Sequence, residues 1–182
     1  MSAEAAVAPT PAPLRPQRVA PVATVSFFLG VALLAHLGFT AWNLVAAAVG
    51  GLLVWLAAID LESRLIPNRI VLPAAAFVLV AAFVVDPARG IEHVVAAIAA
   101  GAFLLMAAAV RPGALGMGDV KLALLLGALL GADVLTALCI GFSLVAATAL
   151  VLVARRGRSA LKHQLPLAPF LAAGAIATLL LS

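Results

Sequence analysis

Asp60 ends a long apolar run and is followed by Leu61-Glu62-Ser63-Arg64-Leu65-Ile66-Pro67-Asn68. Asp119 closes Gly116-Met117-Gly118-Asp119 and opens another apolar run through Val120-Lys121-Leu122. A carboxylate at the end of a membrane helix is costly to desolvate and seldom accidental. Two of them on one membrane face have a definite chemistry. One, ionised, takes a proton from water, while the other, protonated, polarises a carbonyl. Neighbouring carboxylates cannot readily both ionise, so the pair shares one proton. The pattern predicts acid–base chemistry on a membrane-embedded substrate. Gly116 and Gly118 supply backbone without side chains just before Asp119, which predicts an irregular turn and close approach of an extended strand. A helix start also favours the Asp119 charge through the helix dipole.

Each residue also has a blander reading. Asp119 alone serves equally well as a first-turn acid. Asp60 alone reads as an interfacial residue balanced by Arg64 at i+4. Glu62 is a rival carboxylate, expected to be solvated on another helix face. Lys121 reads as an anchor whose ammonium snorkels to the interface. His36, His93 and His163 lie apart, with no metal-ligand spacing between them, and are read as structural. Neither a metal nor another cofactor is expected. Asp86, Glu92 and Asp133 fall at turns or outer helix ends, where water would solvate them.

Composition sets the medium. The 182 residues are 66% hydrophobic and 10% charged, with a mean hydropathy of +1.25. A soluble domain is nearer half apolar and a quarter charged. The runs are continuously apolar rather than alternating, which excludes barrel strands. The expected fold is an all-α, polytopic integral membrane helical bundle. The net charge of +4 is better explained by loop cations that meet anionic lipid than by nucleic acid. The single Cys139 excludes an intrachain disulfide and any multi-cysteine metal site.

Residues 1–21 carry five prolines and are read as a disordered cytoplasmic tail that cannot form a regular helix. The domain proper is then 22–182. Its apolar segments are 22–41, 43–60, 70–85, 91–110, 119–131, 133–154 and 166–182. A span takes about 20 residues, and about 17 at the short end, so 119–131 is short. Seven spans follow, or six if that segment and the next are re-entrant or the first run is peripheral. With the tail inside, the inner loops hold Arg64, Arg69, Arg111, Arg155, Arg156, Arg158 and Lys162, and the outer side keeps only Arg89. The positive-inside rule supports seven alternating spans. Asp60 and Asp119 then share the cytoplasmic face, with no chemical assumption made. Ala- and Gly-rich stretches such as 96–109 and 127–149 suit close helix packing in lipid.

On these residues the chain resembles type IV prepilin peptidases, GxGD-type aspartic proteases of bacterial membranes. Ala58-Ile59-Asp60 with Arg64-Leu65-Ile66-Pro67-Asn68 resembles the family's first aspartate motif. Gly116-Met117-Gly118-Asp119-Val120-Lys121-Leu122 resembles the second, and Leu165-Pro166-Leu167-Ala168-Pro169-Phe170-Leu171 the segment that opens the last helix. The resemblance runs in order from about residue 45 to 182. It implies an endopeptidase in the prokaryotic inner membrane that cuts the basic leader from prepilins or pseudopilins at the cytoplasmic face. Asp60 and Asp119 would be the catalytic pair, and Gly116 and Gly118 would shape the active-site turn. Larger members carry paired CxxC elements that bind zinc, and also methylate the new N-terminus. One cysteine cannot supply those elements, so the resemblance extends to the peptidase alone, as in short members associated with Tad/Flp-type pili or secretion systems.

Two other classes compete. Presenilin-like proteases share GxGD but pair it with a Tyr-Asp motif, and this chain has no tyrosine. A small membrane carrier or assembly subunit would place its carboxylates near the bilayer midplane, whereas these sit at segment ends. An inactive homologue would keep the same fold.

Overall fold

In lipid the backbone must satisfy its own hydrogen bonds, so continuous apolar runs become helices. The computed structural model describes residues 16–110, 115–157 and 165–182, and within them the protein is an all-α membrane bundle. Seven α-helices follow one another: α1 (Pro16–Leu37), α2 (Ala41–Ser63), α3 (Asn68–Val85), α4 (Pro87–Val110), α5 (Met117–Leu130), α6 (Val134–Arg156) and α7 (Ala168–Leu181). A single 3-10 turn, Gly131–Asp133, joins α5 to α6. By length and apolar composition, five helical stretches can cross a membrane, with Met117–Arg156 counted as one; Ala168–Leu181 is shorter. Gly131, at φ 58 and ψ −135, breaks that long stretch into α5 and α6.

One boundary differs from the expectation. Helix α1 begins at Pro16, inside the stretch read as non-helical, and carries Pro21. Proline is tolerated at a first helical position, where the missing N–H has no partner to lose, and Pro21 removes only one later bond. Residues 1–15 of the expected tail, with Arg15, lie outside the described residues, as do Arg111, Arg158, Lys162 and His163.

Helix α5 is the axis of the bundle. Most of it is buried, from Val120 through Leu130, so its 14 residues need not cross the lipid unaided. Close approach of backbones makes this possible. A Cβ on Gly127 would strike the Ala96 carbonyl of α4, and one on Gly174 of α7 would strike the Ala137 carbonyl of α6. The Ala- and Gly-rich stretches thus act as the contact surfaces expected of them. Outside, Phe27, Phe77, Val84, Ile98 and Leu150 are exposed. These apolar side chains face lipid.

Alternation of the helices gives the bundle two ends. The first gathers the end of α2 and the starts of α3, α5 and α7. The second gathers the α1–α2, α3–α4 and α5–α6 turns. It is tied by His36 Nε2 on the Leu180 carbonyl at 2.9 Å, Asn43 Nδ2 on the Leu37 carbonyl at 2.8 Å and His93 Nδ1 on the Ala128 carbonyl at 2.9 Å. These bonds make His36 and His93 structural.

Candidate active site

Asp60 lies in the last turn of α2, and the chain leaves that helix four residues later. Arg64 takes the left-handed conformation at φ 54 and ψ 28, and its N–H donates to the Asp60 carbonyl at 2.9 Å. Leu65 and Ile66 then lead to Pro67, the N-cap of α3. Pro67 disfavours helix for the residue before it, which keeps the two helices apart. The Arg64-to-Asn68 sequence is therefore a tight helix–turn–helix that fixes the end of α2.

The Asp60 side chain is 5% exposed and is the only charged residue in the buried core among the described residues. Its Oδ2 accepts from the Ala168 N–H at 3.2 Å. Ala168 is the first residue of α7, Pro169 has no N–H, and the N–H groups of Phe170 and Leu171 turn back to the Leu167 carbonyl. The helix thus presents one donor and the positive end of its dipole to the carboxylate. This bond, rather than the i+4 pair with Arg64, is the one Asp60 makes. Nothing in the sequence placed Ala168 there, because the two residues are 108 apart. The one local signal was the pair of prolines around a helix start.

Asp119 is the third residue of α5 and half-buried. Its Oδ2 accepts from the Gly116 N–H at 3.2 Å, and its own N–H donates to the Gly116 carbonyl at 3.0 Å. The carboxylate therefore does cap the helix, as the blander reading had it. One oxygen, Oδ2, suffices for that. The two carboxylates are near enough for their charges to interact. The start of α5 packs on the α2–α3 turn at Gly118, where a Cβ would come 2.9 Å from Ile66 Cβ. The absent side chain at 118 makes room for Ile66 rather than for an unusual backbone angle. At Gly116, φ is −80 and ψ 146, ordinary extended backbone, and a Cβ would stand 3.3 Å from Asp119 Oδ2.

Glu62 differs from its expected place in water. Its side chain is 15% exposed and pairs with Arg18 Nε of α1 at 3.1 Å. Two residues along a helix turn it away from Asp60, toward α1. No group of three or more His, Cys, Asp or Glu side chains among the described residues is arranged to hold a metal.

The type IV leader peptidase family model matches residues 47–154, more than half of the chain. The protein belongs to that family. No curated protein and no solved structure matches it. The family is one of peptidases, whose substrates are in general prepilins, and the apolar helices make this member a multi-pass membrane protein. The matched residues include Asp60 and Asp119 but stop before α7. The donor to Asp60 thus comes from outside the matched segment.

Proposed function

We propose that this leader peptidase is an aspartic endopeptidase that removes the basic leader of type IV prepilins or pseudopilins. Asp60 and Asp119 activate the water between them. The observation that carries the reading is the convergence of two carboxylates from separate helices, one buried and fixed by a helix N-terminus. One carboxylate takes a proton from water as its oxygen attacks the scissile carbonyl carbon. The other, protonated, gives its proton to the carbonyl oxygen. The tetrahedral diol then collapses: the C–N bond breaks, the nitrogen takes a proton from one acid, and a hydroxyl returns a proton to the other. The pair ends with one proton, as it began.

Gly116 and Gly118 form the turn that places Asp119, with Gly118 seated on Ile66. The site faces the cytoplasm of a prokaryotic inner membrane. Arg18, Arg64, Arg69, Arg155 and Arg156 belong to the carboxylate end and Arg89 to the other, the asymmetry expected of that orientation. The start of α1 lies on the same side, and α1 to α7 form the peptidase domain. The substrate belongs to a Tad/Flp-type pilus or related secretion system.

The test is co-expression in a membrane with candidate prepilins from the same genome, followed by gel shift and N-terminal sequencing. Wild type would be run beside Asp60→Ala and Asp119→Ala. Cleavage by the wild type alone supports the reading. A well-expressed wild type that cuts no candidate would turn it toward an inactive homologue, and cleavage surviving in both variants would remove the mechanism.

A further inference from the structure

At the end of the bundle opposite the carboxylate pair, two cavities share one side chain. The first, about 230 Å³, lies where the α1–α2 turn, the start of α4, the α5–α6 turn and the end of α7 meet. Its lining is polar and charged: Asn43, Arg89, Glu92, His93 and Asp133 contribute. The second, about 640 Å³, runs between α4 and α6 and is apolar apart from Glu92 at its mouth. Glu92 lines both.

The apolar cavity has a direction. Glu92, Ala96, Ala99 and Phe103 follow one another at helical spacing down one face of α4, and all line it. That face is about 16 Å long at the rise of an α-helix. Phe103 and Phe142 meet edge to face at 6.5 Å toward its inner end. A polar chamber beside an apolar channel, with Glu92 lining both, matches an amphiphile with a head at the interface and a chain along the bilayer normal.

The charges around the head select its kind. Arg89 is a cation, held at the mouth by Asp86 at 3.6 Å. Glu92, one turn further along the same helix, and Asp133, in the α5–α6 turn, are carboxylates of the chamber. Glu92 Oε1 accepts from the Ala132 N–H at 3.1 Å, an approach that a Cβ on Gly131 would crowd at 3.0 Å. The Asn43 amide group gives its protons to the Leu37 and Gly38 carbonyls, which leaves its oxygen as an acceptor. His93 Nδ1 is taken by the Ala128 carbonyl. The chamber therefore offers acceptors and carboxylates to a donor cation, and one guanidinium to an anion. A zwitterion with a primary ammonium and a phosphate satisfies both.

We propose that the two cavities form one binding site for phosphatidylethanolamine, with its ammonium at Glu92 and Asp133, its phosphate at Arg89 and one acyl chain between α4 and α6. The site is separate from the peptidase reading and stands whether or not the chain cuts a prepilin. The test is native mass spectrometry of the full-length protein in detergent, offered equal amounts of phosphatidylethanolamine, phosphatidylglycerol and phosphatidylcholine. The ethanolamine lipid is retained in preference to both others. Glu92→Gln keeps the acceptor for Ala132 and removes the charge, and cuts the preference about tenfold. Ala99→Trp fills the channel and removes the adduct. Val95→Trp, also on an exposed channel position, serves if the first variant does not express.

Cys139 gives a second readout. It is the only cysteine, is exposed and lines the channel, so bound lipid slows its labelling by a maleimide. Equal retention of the three lipids overturns the proposal, as does an adduct that survives both tryptophan variants or labelling indifferent to lipid. Cross-linking of Cys139 to the apolar helix of a protein, without protection by lipid, would assign the channel to that partner instead.

Discussion

The two ends of this bundle hold carboxylates in opposite ways. At the far end the Asp86 side chain is half-exposed and amply satisfied: the Ala88 and Arg89 N–H groups donate to its Oδ1, and the Arg89 guanidinium lies 3.6 Å from Oδ2. It precedes Pro87, the first residue of α4, and is an ordinary helix cap. At the other end Asp60 is buried with a single backbone donor, beside a second carboxylate. Burying a charge costs free energy unless it is paired or well hydrogen-bonded. An arrangement that is expensive at one end and cheap at the other, within one chain, supports placing the proposed chemistry at the expensive end.

The sharpest way to break this contrast is to remove charge without changing shape. Asp60→Asn or Asp119→Asn is expected to lower prepilin cleavage about a thousandfold or more, with the protein still folded in the membrane. Cleavage assays beside a melting curve in detergent check both halves of that statement. The next largest effect is expected at Gly118→Ala. A methyl group 2.9 Å from Ile66 Cβ must push the α2–α3 turn away from α5, and a strain of about 1–3 kcal/mol at the pair corresponds to roughly five- to 150-fold in kcat/KM. Wild-type rates in that variant would mean that the spacing of the two helix ends does not matter.

Glu62→Ala tests whether the carboxylate facing α1 belongs to the chemistry. Its loss breaks the pair with Arg18 and is expected to leave cleavage within about tenfold of wild type. An inactive Glu62→Ala beside an active Asp60→Asn would reverse the assignment. At the far end, Asp86→Ala should lower stability by about 1 kcal/mol through the lost cap and leave cleavage unchanged. Smallest of all, treatment with a chelator should not alter the rate, and loss of activity restored by a divalent ion would bring a metal into the mechanism.

Much of this was legible because lipid imposes strict rules on sequence. Continuous apolar runs separated by charged or glycine-containing breaks gave the helices nearly one for one, and the asymmetry of arginines is what the proposed orientation rests on. The reading failed where contact between distant segments decided the outcome. The start of α1 was placed too late because prolines were weighed only as helix breakers. Glu62 was placed in water because nothing local shows that α1 brings Arg18 against it. The short run at 119–131 was visible, but its cause was not: α5 is enclosed by its neighbours. For Asp60 the sequence supplied the residue and the end of its helix. The donor from Ala168 is a tertiary fact.

That enclosed helix has a consequence for the membrane itself. Fourteen residues rise about 21 Å, against a hydrocarbon layer of about 30 Å. At the end away from Asp119, Leu129 and Leu130 of α5 line one cavity with Asn43 of α2 and Arg89 of α4. The start of α5 meets Ile66 of the α2–α3 turn at Gly118, so the helix is held by protein at both ends. The depth of Asp119 is therefore set by protein contacts rather than by the bilayer. Changes in lipid chain length would tilt or strain the outer helices long before they altered the depth at which water meets the carboxylates.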